Sequence, residues 1–258
     1  MNIRGQFTIN RPVRLTAYSL STGNALYCIR ELEDLSLKVT SEDNTVTDAM
    51  GSPIAIFEKA KQGEVSGSAS LVNFGLASAQ FGSDAKAASS SEKIIMPRID
   101  ELEIKAGKVT LTKTPIADSV TSISVVNTDG TFGDYYMVAA TASEKEFAIT
   151  GAEITVPTSL TKGTIAVTYD YEATTGLVLE NNATEYTKPC RILIEVLGSD
   201  VCTPDLEKWI MIESKNAKPD SNVELALKSD GKHPFTYKIM PQYCDKKKNI
   251  FTIFAPEE

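Results

Sequence analysis

TDAMGSPIAIFEKAKQGEVSGSASLVNFGLASAQFGSDAK, residues Thr47 to Lys86, contains the one convincing helical pattern in a chain that otherwise favours strands. Apolar and polar residues alternate over Pro53 to Lys59, which is typical of a strand with one face in solvent. The small residues of Lys61 to Ser70 continue the strand, and the period then changes. This change of period predicts that a sheet leads directly into a short helix.

The helix is expected to pack on the sheet through three apolar side chains at helical spacing: Leu71, Phe74 and Phe81. Ser68 or Ser70 is expected to cap its first turn, since a serine hydroxyl accepts a hydrogen bond from a free backbone N–H there. Gly82 is expected to end it, because glycine adopts the left-handed conformation of a C-terminal cap without strain.

This order of elements resembles the major tail tube protein family of tailed bacteriophages. In that family an apolar strand and a glycine-containing strand lead into a short helix that ends in Gln and a Gly-Ser or Gly-Thr step. The residues that carry the resemblance are Phe57, Lys59, Gly63, Glu64, Ser66, Gly67, Gln80, Gly82 and Ser83. The similarity continues more loosely through the C-terminal third, from Pro189 onward.

The resemblance implies a mainly β protein, a β-sandwich or barrel of the tail tube type with one short α-helix. It also implies self-assembly into hexameric rings that stack into a tube, through which DNA passes without specific binding. The implied partners are further copies of the chain, tape measure, tail terminator and baseplate proteins, and a sheath if the tail contracts. The implied location is the virion tail, assembled in the cytoplasm of a bacterial host.

Composition agrees with this expectation. The chain has 258 residues, a net charge of -8 and 42% hydrophobic residues. A protein that grips nucleic acid needs a positive surface, so this charge disfavours such a function, whereas an acidic lumen would repel the passing duplex. The sequence contains neither the apolar segment of a secretory signal nor a run long enough to span a membrane.

The interpretation treats residues 1–258 as one tail-tube-like β domain, with 84–93 as a long loop and 101–180 as an inserted or elaborated β-rich segment. Two polar loops and the N-terminal arm, Met1 to Pro12, are expected to become ordered on assembly. The loops are Ser41 to Asp48 and Ser83 to Lys93. Their candidate assembly residues are Ser41, Asp43, Asp48, Ser83, Asp84, Ser90 and Lys93.

The sequence offers little for catalysis, so we expect no enzyme, no cofactor and no metal. The single histidine, His233, precedes a proline and has no accompanying nucleophile motif. Four widely spaced cysteines match no metal-binding pattern and are expected to stay reduced. Glu101 and Glu103 fall on one strand face, which predicts an exposed acidic stripe.

The alternative function is an immunoglobulin-like or baseplate-type binding module that recognises a surface ligand. The strand-rich pattern of residues 101–180 fits it equally well. Against it stand the missing signal peptide and the missing aromatic platform, since the only tryptophan, Trp209, is expected to lie in the core.

Overall fold

The computed structural model describes residues 7–200, 207–225, 228–229, 231–241 and 246–255, which contain one helix and 17 strands. The predicted mainly β class with one short helix is confirmed. In chain order the elements are β1 (Phe7–Ser19), β2 (Ala25–Ile29), β3 (Leu32–Thr47), β4 (Pro53–Ala69), α1 (Phe74–Phe81), β5 (Lys86–Ala87), β6 (Ile94–Glu103), β7 (Lys108–Thr110), β8 (Ser122–Val126), β9 (Phe132–Val138), β10 (Glu146–Thr150), β11 (Glu153–Thr155), β12 (Thr164–Ala173), β13 (Leu177–Val178), β14 (Cys190–Asp200), β15 (Glu207–Pro219), β16 (His233–Ile239) and β17 (Thr252–Phe254).

The chain divides into two compact units, one of residues 1–85 and 179–258 and one of residues 86–178. In the sequence, unit 2 therefore interrupts unit 1. Its first long strand, β6, contains Pro97, which obscures the strand in the sequence. β6 lies at an end of its sheet, where a residue without a backbone N–H is tolerated.

Unit 1 is built on one sheet with the order β2-β1-β14-β15-β16-β4-β3, and β17 pairs with β15. Only Arg30 and Glu31 separate the strands at the two ends of this order, so the sheet curls toward a barrel. Alternate residues of its strands point inward, as in β14, where Ile192 and Ile194 are buried. Each such side chain contributes roughly 1.5–3 kcal/mol of burial free energy.

Helix α1 covers part of this core, but with a different face from the predicted one. Its buried residues are Leu76, Ala77 and Gln80. Leu71 precedes the helix and is 67% exposed, Phe74 is 50% exposed, and Phe81 is only half-buried. The expectation that Leu71 and Phe74 anchor the helix is therefore wrong.

Close packing explains which face is buried. A Cβ atom added at Gly75 would lie 2.6 Å from Cβ of Tyr27, so the helix approaches β2 too closely for a larger residue there. The small residues, and not the phenylalanines, decide how the helix lies on the sheet.

The predicted N-terminal cap of α1, Ser68 or Ser70, is wrong, and the predicted C-terminal cap is confirmed. The N-terminal cap is Asn73, whose Oδ1 accepts a 3.0 Å hydrogen bond from the N–H of Leu76. Gly82 ends the helix as predicted, with φ of 78° and its N–H bonded to the carbonyl of Ser78.

Unit 2 is a seven-stranded sheet with the order β6-β12-β8-β9-β10-β11-β7, together with the short β5–β13 pair. The end strands β6 and β7 are consecutive strands joined by a turn at Ala106 and Gly107, both with positive φ, so this sheet also nearly closes into a barrel. Its interior is filled by large side chains from several strands: Ile123, Phe147, Ile154, Ile165, Val167 and Tyr169.

One buried carboxylate fastens the 112–113 segment to this sheet. Asp100 accepts 2.8 Å hydrogen bonds from the N–H of Thr112 and the hydroxyl of Tyr169, and a 2.7 Å bond from Nε of Arg98. Burial by itself raises the pKa of Asp100, but these donors outweigh it and lower the pKa to about 2. The carboxylate is thus fully bonded and structural, whereas Glu101 and Glu103 are exposed as the stripe pattern predicts.

Substitution of Gly82 by alanine tests how much the end of α1 depends on close approach. Both Gly82→Ala and the control Gly23→Ala place a Cβ on a residue with φ near 75°, at a cost of about 1–2 kcal/mol. At Gly82 the new Cβ would also lie 2.5 Å from the backbone of Tyr186, whereas at Gly23 it meets no atom within 4 Å. Gly82→Ala should therefore lower the free energy of unfolding by about 1–3 kcal/mol more than Gly23→Ala in denaturant titration. Equal losses would show that the loop of Tyr186 moves away freely.

Candidate assembly surface

The outer half of the β3–β4 hairpin is a two-stranded ribbon. β4 pairs with β16 only from Gly63 to Ala69, whereas its pairing with β3 continues outward to Pro53. The strand segments 40–47 and 53–62 therefore have no third strand in the described part of the chain. At about 3.3 Å per residue, eight strand residues extend the ribbon by about 25 Å.

Large apolar side chains lie exposed on both faces of this ribbon. Ile54 and Ile56 lie on one face and are 68% and 66% exposed. Phe57 lies on the other face and is 60% exposed, and Met50 at the tip is 92% exposed. An isolated two-stranded hairpin is only marginally stable in water, and exposed apolar side chains on an unpaired ribbon favour association.

The predicted polar loop at Ser41 to Asp48 is largely this ribbon, so the loop prediction is wrong. Ser41 and Asp43 lie on β3 and pair with Lys61 and Glu58 of β4. Serine, aspartate, asparagine and threonine usually favour turns, but cross-strand pairing with β4 overrides that preference here.

Only the end of the predicted loop is a turn. Oδ1 of Asp48 accepts hydrogen bonds from the N–H groups of Met50 and Ser52, at 2.9 and 2.8 Å. Gly51 occupies the left-handed conformation that closes the hairpin. The aspartate therefore fixes the direction in which the ribbon returns.

The other predicted loop is divided between the two units. In unit 1, Ser83 is buried and donates a hydrogen bond to the carbonyl of Glu180, and Asp84 is exposed. In unit 2, Ser90 is exposed in a turn, and Lys93 forms an ion pair with Glu172. The segment is irregular except for β5. The N-terminal arm begins outside the described residues, and its remainder from Phe7 is the paired strand β1.

Helix α1 is joined to the sheet by a buried polar network centred on His233, the first residue of β16. Nδ1 of His233 accepts a 3.2 Å hydrogen bond from the N–H of Asn73, and Nε2 lies 2.8 Å from Oε1 of Gln80. Because Nδ1 is an acceptor, the proton of the neutral ring is on Nε2 and is donated to Gln80. Nε2 of Gln80 in turn donates to the carbonyl of Pro234 at 3.0 Å. One histidine thus holds both ends of the helix.

The structure also describes Trp209 and two of the four cysteines. Trp209 is 51% exposed, so the prediction of a core tryptophan is wrong. Cys190 is buried and free, with its pKa raised by burial to about 12, and Cys28 is also free. Cys202 and Cys244 lie outside the described residues. Within the described ranges, no cluster of His, Cys, Asp and Glu could hold a metal ion, and no helix is long and apolar enough to cross a membrane.

The family model of YomU/Tube proteins matches residues 8–253, from the second residue of β1 into β17. The chain belongs to the YomU/Tube protein family. This membership confirms the resemblance to phage tail tube proteins and indicates a structural protein of the virion. Comparison with curated proteins finds no match.

The His233 network predicts a pH dependence that one residue controls. Burial lowers the pKa of His233 below its usual 6.5, so the unfolded chain binds a proton more readily than the folded one. Stability should be complete above about pH 6.5 and should fall as the pH decreases below that value. A neutral ring is needed because a protonated Nδ1 could no longer accept the bond from Asn73.

Melting temperatures measured between pH 7.5 and 5.5 test this expectation. His233 is the only histidine, and carboxylates scarcely titrate in this range. The variant His233→Gln should be less stable than the wild type at pH 7.5 and should lose most of the pH dependence. A wild-type melting temperature that is flat down to pH 5.5 would contradict a structural role for the neutral ring.

Proposed function

We propose that this protein is the subunit of a phage tail tube, in which hexameric rings stack into a conduit for DNA. The observation that carries the proposal is the β3–β4 ribbon, with its paired backbone and uncovered apolar side chains. A second copy of the chain would bury Ile54, Ile56 and Phe57, which the monomer leaves in water. Membership of the YomU/Tube family supports the tube, and the resemblance to tail tube proteins supports the sixfold ring.

The ends of the unit 1 sheet supply a second type of contact. β2 and β3 each have one hydrogen-bonding edge with no strand partner among the described residues. Pairing of such edges between neighbours satisfies backbone groups that water otherwise solvates. A contact between different edges of adjacent copies is heterologous, so it closes into a ring when the rotation fits and otherwise continues as a filament.

Stacking requires a further contact along the axis of the tube, and we assign this role to the ribbon. Its length of about 25 Å lets it extend past the core of its own subunit. A ribbon of this length places its apolar side chains on a neighbouring subunit without any change in the core. Its polar positions, among them Ser41 and Asp43, then line the contact and set its register.

Electron microscopy of the purified full-length protein, over a range of concentrations, tests assembly directly. The wild type should form annular particles and tubes with a central channel. Ile56→Lys should raise the concentration needed for tubes about tenfold or more, because it removes a buried apolar side chain and introduces a charge at each contact. Circular dichroism should show that the variant remains folded.

The matched control is Ile99→Lys in unit 2. Ile99 is also a strand isoleucine and is 66% exposed, the same as Ile56, so both substitutions change intrinsic stability similarly. Ile99→Lys should assemble like the wild type. Equal effects of the two variants would argue against the ribbon as the stacking element, and compact wild-type monomers at every concentration would argue against the tube itself.

A further inference from the structure

The outward face of the unit 2 sheet contains a trough across four strands. Strand pairing places Ile99 of β6, Thr168 of β12 and Ser122 of β8 on this face, together with Met137 of β9. Side chains of directly paired residues point to the same side of a sheet, so these positions form one row. The large residues stand at the two ends of the row and the small ones between them.

The neighbouring row repeats this profile. Glu101, Ala166, Ser124 and Tyr135 pair in that order across β6, β12, β8 and β9. Small side chains in the middle of both rows leave a cavity of about 410 Å³, walled by Ile99 on one side and Phe132 on the other. Its floor carries hydroxyl groups, among them those of Ser122, Ser124 and Thr168.

A second cavity of about 370 Å³ lies beside the same strand, β9. Tyr135 lines it together with two carboxylates, Asp134 and Glu144, and one cation, Lys145. Tyr135 is 72% exposed and pairs with Ser124 on the floor of the trough, so it belongs to a row of the trough and also lines the second cavity. Both volumes fall in the range of roughly 300–1,000 Å³ that is usual for small-ligand sites.

The charge of the trough restricts its ligand. Glu101, Glu103 and Asp170 lie on this face, and none of them forms an ion pair among the described residues. The face therefore repels anionic ligands such as nucleic acid or acidic glycans. The hydroxyl floor can both donate and accept hydrogen bonds, and carboxylates accept short bonds from hydroxyl groups.

From these features we propose that the trough binds an uncharged glycan, with a sugar ring on its hydroxyl floor. A pyranose ring offers an apolar C–H face, which the negative face of an aromatic ring attracts, and Tyr135 and Phe132 supply such rings. Its hydroxyl groups match the serine and threonine floor and the carboxylates at the rim. This inference goes beyond tube assembly and does not depend on it.

An array of immobilised glycans tests the proposal on the full-length protein. The array carries uncharged oligosaccharides of glucose, galactose, mannose and N-acetylglucosamine beside sialylated and sulfated ones. Binding should be confined to uncharged glycans. Absence of binding to every uncharged glycan, or binding to the acidic ones alone, would overturn the proposal.

Two variants locate the site. Tyr135→Ala removes the aromatic ring at the end of one row of the trough and should weaken binding about tenfold, the usual scale for a central aromatic contact. Ser124→Leu fills the floor of the trough and should abolish binding, while leucine remains acceptable in a strand. The control is Tyr186→Ala in unit 1, which removes a tyrosine that is 74% exposed and should bind like the wild type.

Each remaining outcome has a defined meaning. Unchanged melting temperatures would show that the variants remain folded, and if Tyr135→Ala and Ser124→Leu then bind like the wild type, the assigned site is wrong. Concentration-dependent self-association that Ser124→Leu abolishes, without glycan binding, would identify the face as a contact between copies and would also overturn the proposal.

Discussion

Unit 1 depends on the antiparallel pairing of β1 with β14 and of β4 with β16. These two pairings join chain segments that all of unit 2 separates in the sequence. Long-range pairing of this kind costs loop-closure entropy before its contacts stabilise the fold. A unit 2 that folds by itself and holds its own ends together would lower that cost. The short β5–β13 pair lies where the chain enters and leaves unit 2, and it joins Lys86–Ala87 to Leu177–Val178. A tightly closed insertion is thus compatible with an uninterrupted sheet in unit 1.

The polar network at His233 follows from the same arrangement. β16 lies between β15 and β4 in the sheet, and α1 comes directly after β4 in the chain. A buried polar group without a partner would cost about 1–3 kcal/mol, so the contact is favourable only because Asn73, Gln80 and Pro234 satisfy every group in it. The contacts between α1 and the sheet therefore depend on the docking of β16. This coupling links β16, in the C-terminal part of the chain, to the segment from Thr47 to Lys86.

Much of the local structure could be predicted from the sequence, because period and turn chemistry are local properties. The change of period after Ser70 located α1, and Gly82 ended it. The buried face of α1 could not be predicted, since the spacing of Leu71, Phe74 and Phe81 describes a helix without saying what it packs against. Gly75 was the available signal, because a glycine within a helix often marks close approach to another element. The strand at Ser41 to Thr47 was missed because its residues favour turns and its partner strand alone holds it extended.

The two candidate surfaces, the ribbon and the trough, differ in how easily they can be recognised from the sequence. The ribbon is one hairpin, so its apolar residues stand close together in the chain, and Ile54, Ile56 and Phe57 were apparent as an alternating strand. The trough of unit 2 is assembled from four strands that lie far apart in the sequence, and each strand supplies one residue to each of its two rows. Trp209 appeared to be the only candidate for an aromatic platform, whereas the sheet brings Phe132 and Tyr135 onto one face through the irregular pairing of β8 with β9. A bulge shifts which residues share a face, and sequence alternation alone cannot show that shift. Surfaces that depend on strand register are therefore the features of a β protein that its structure shows and its sequence does not.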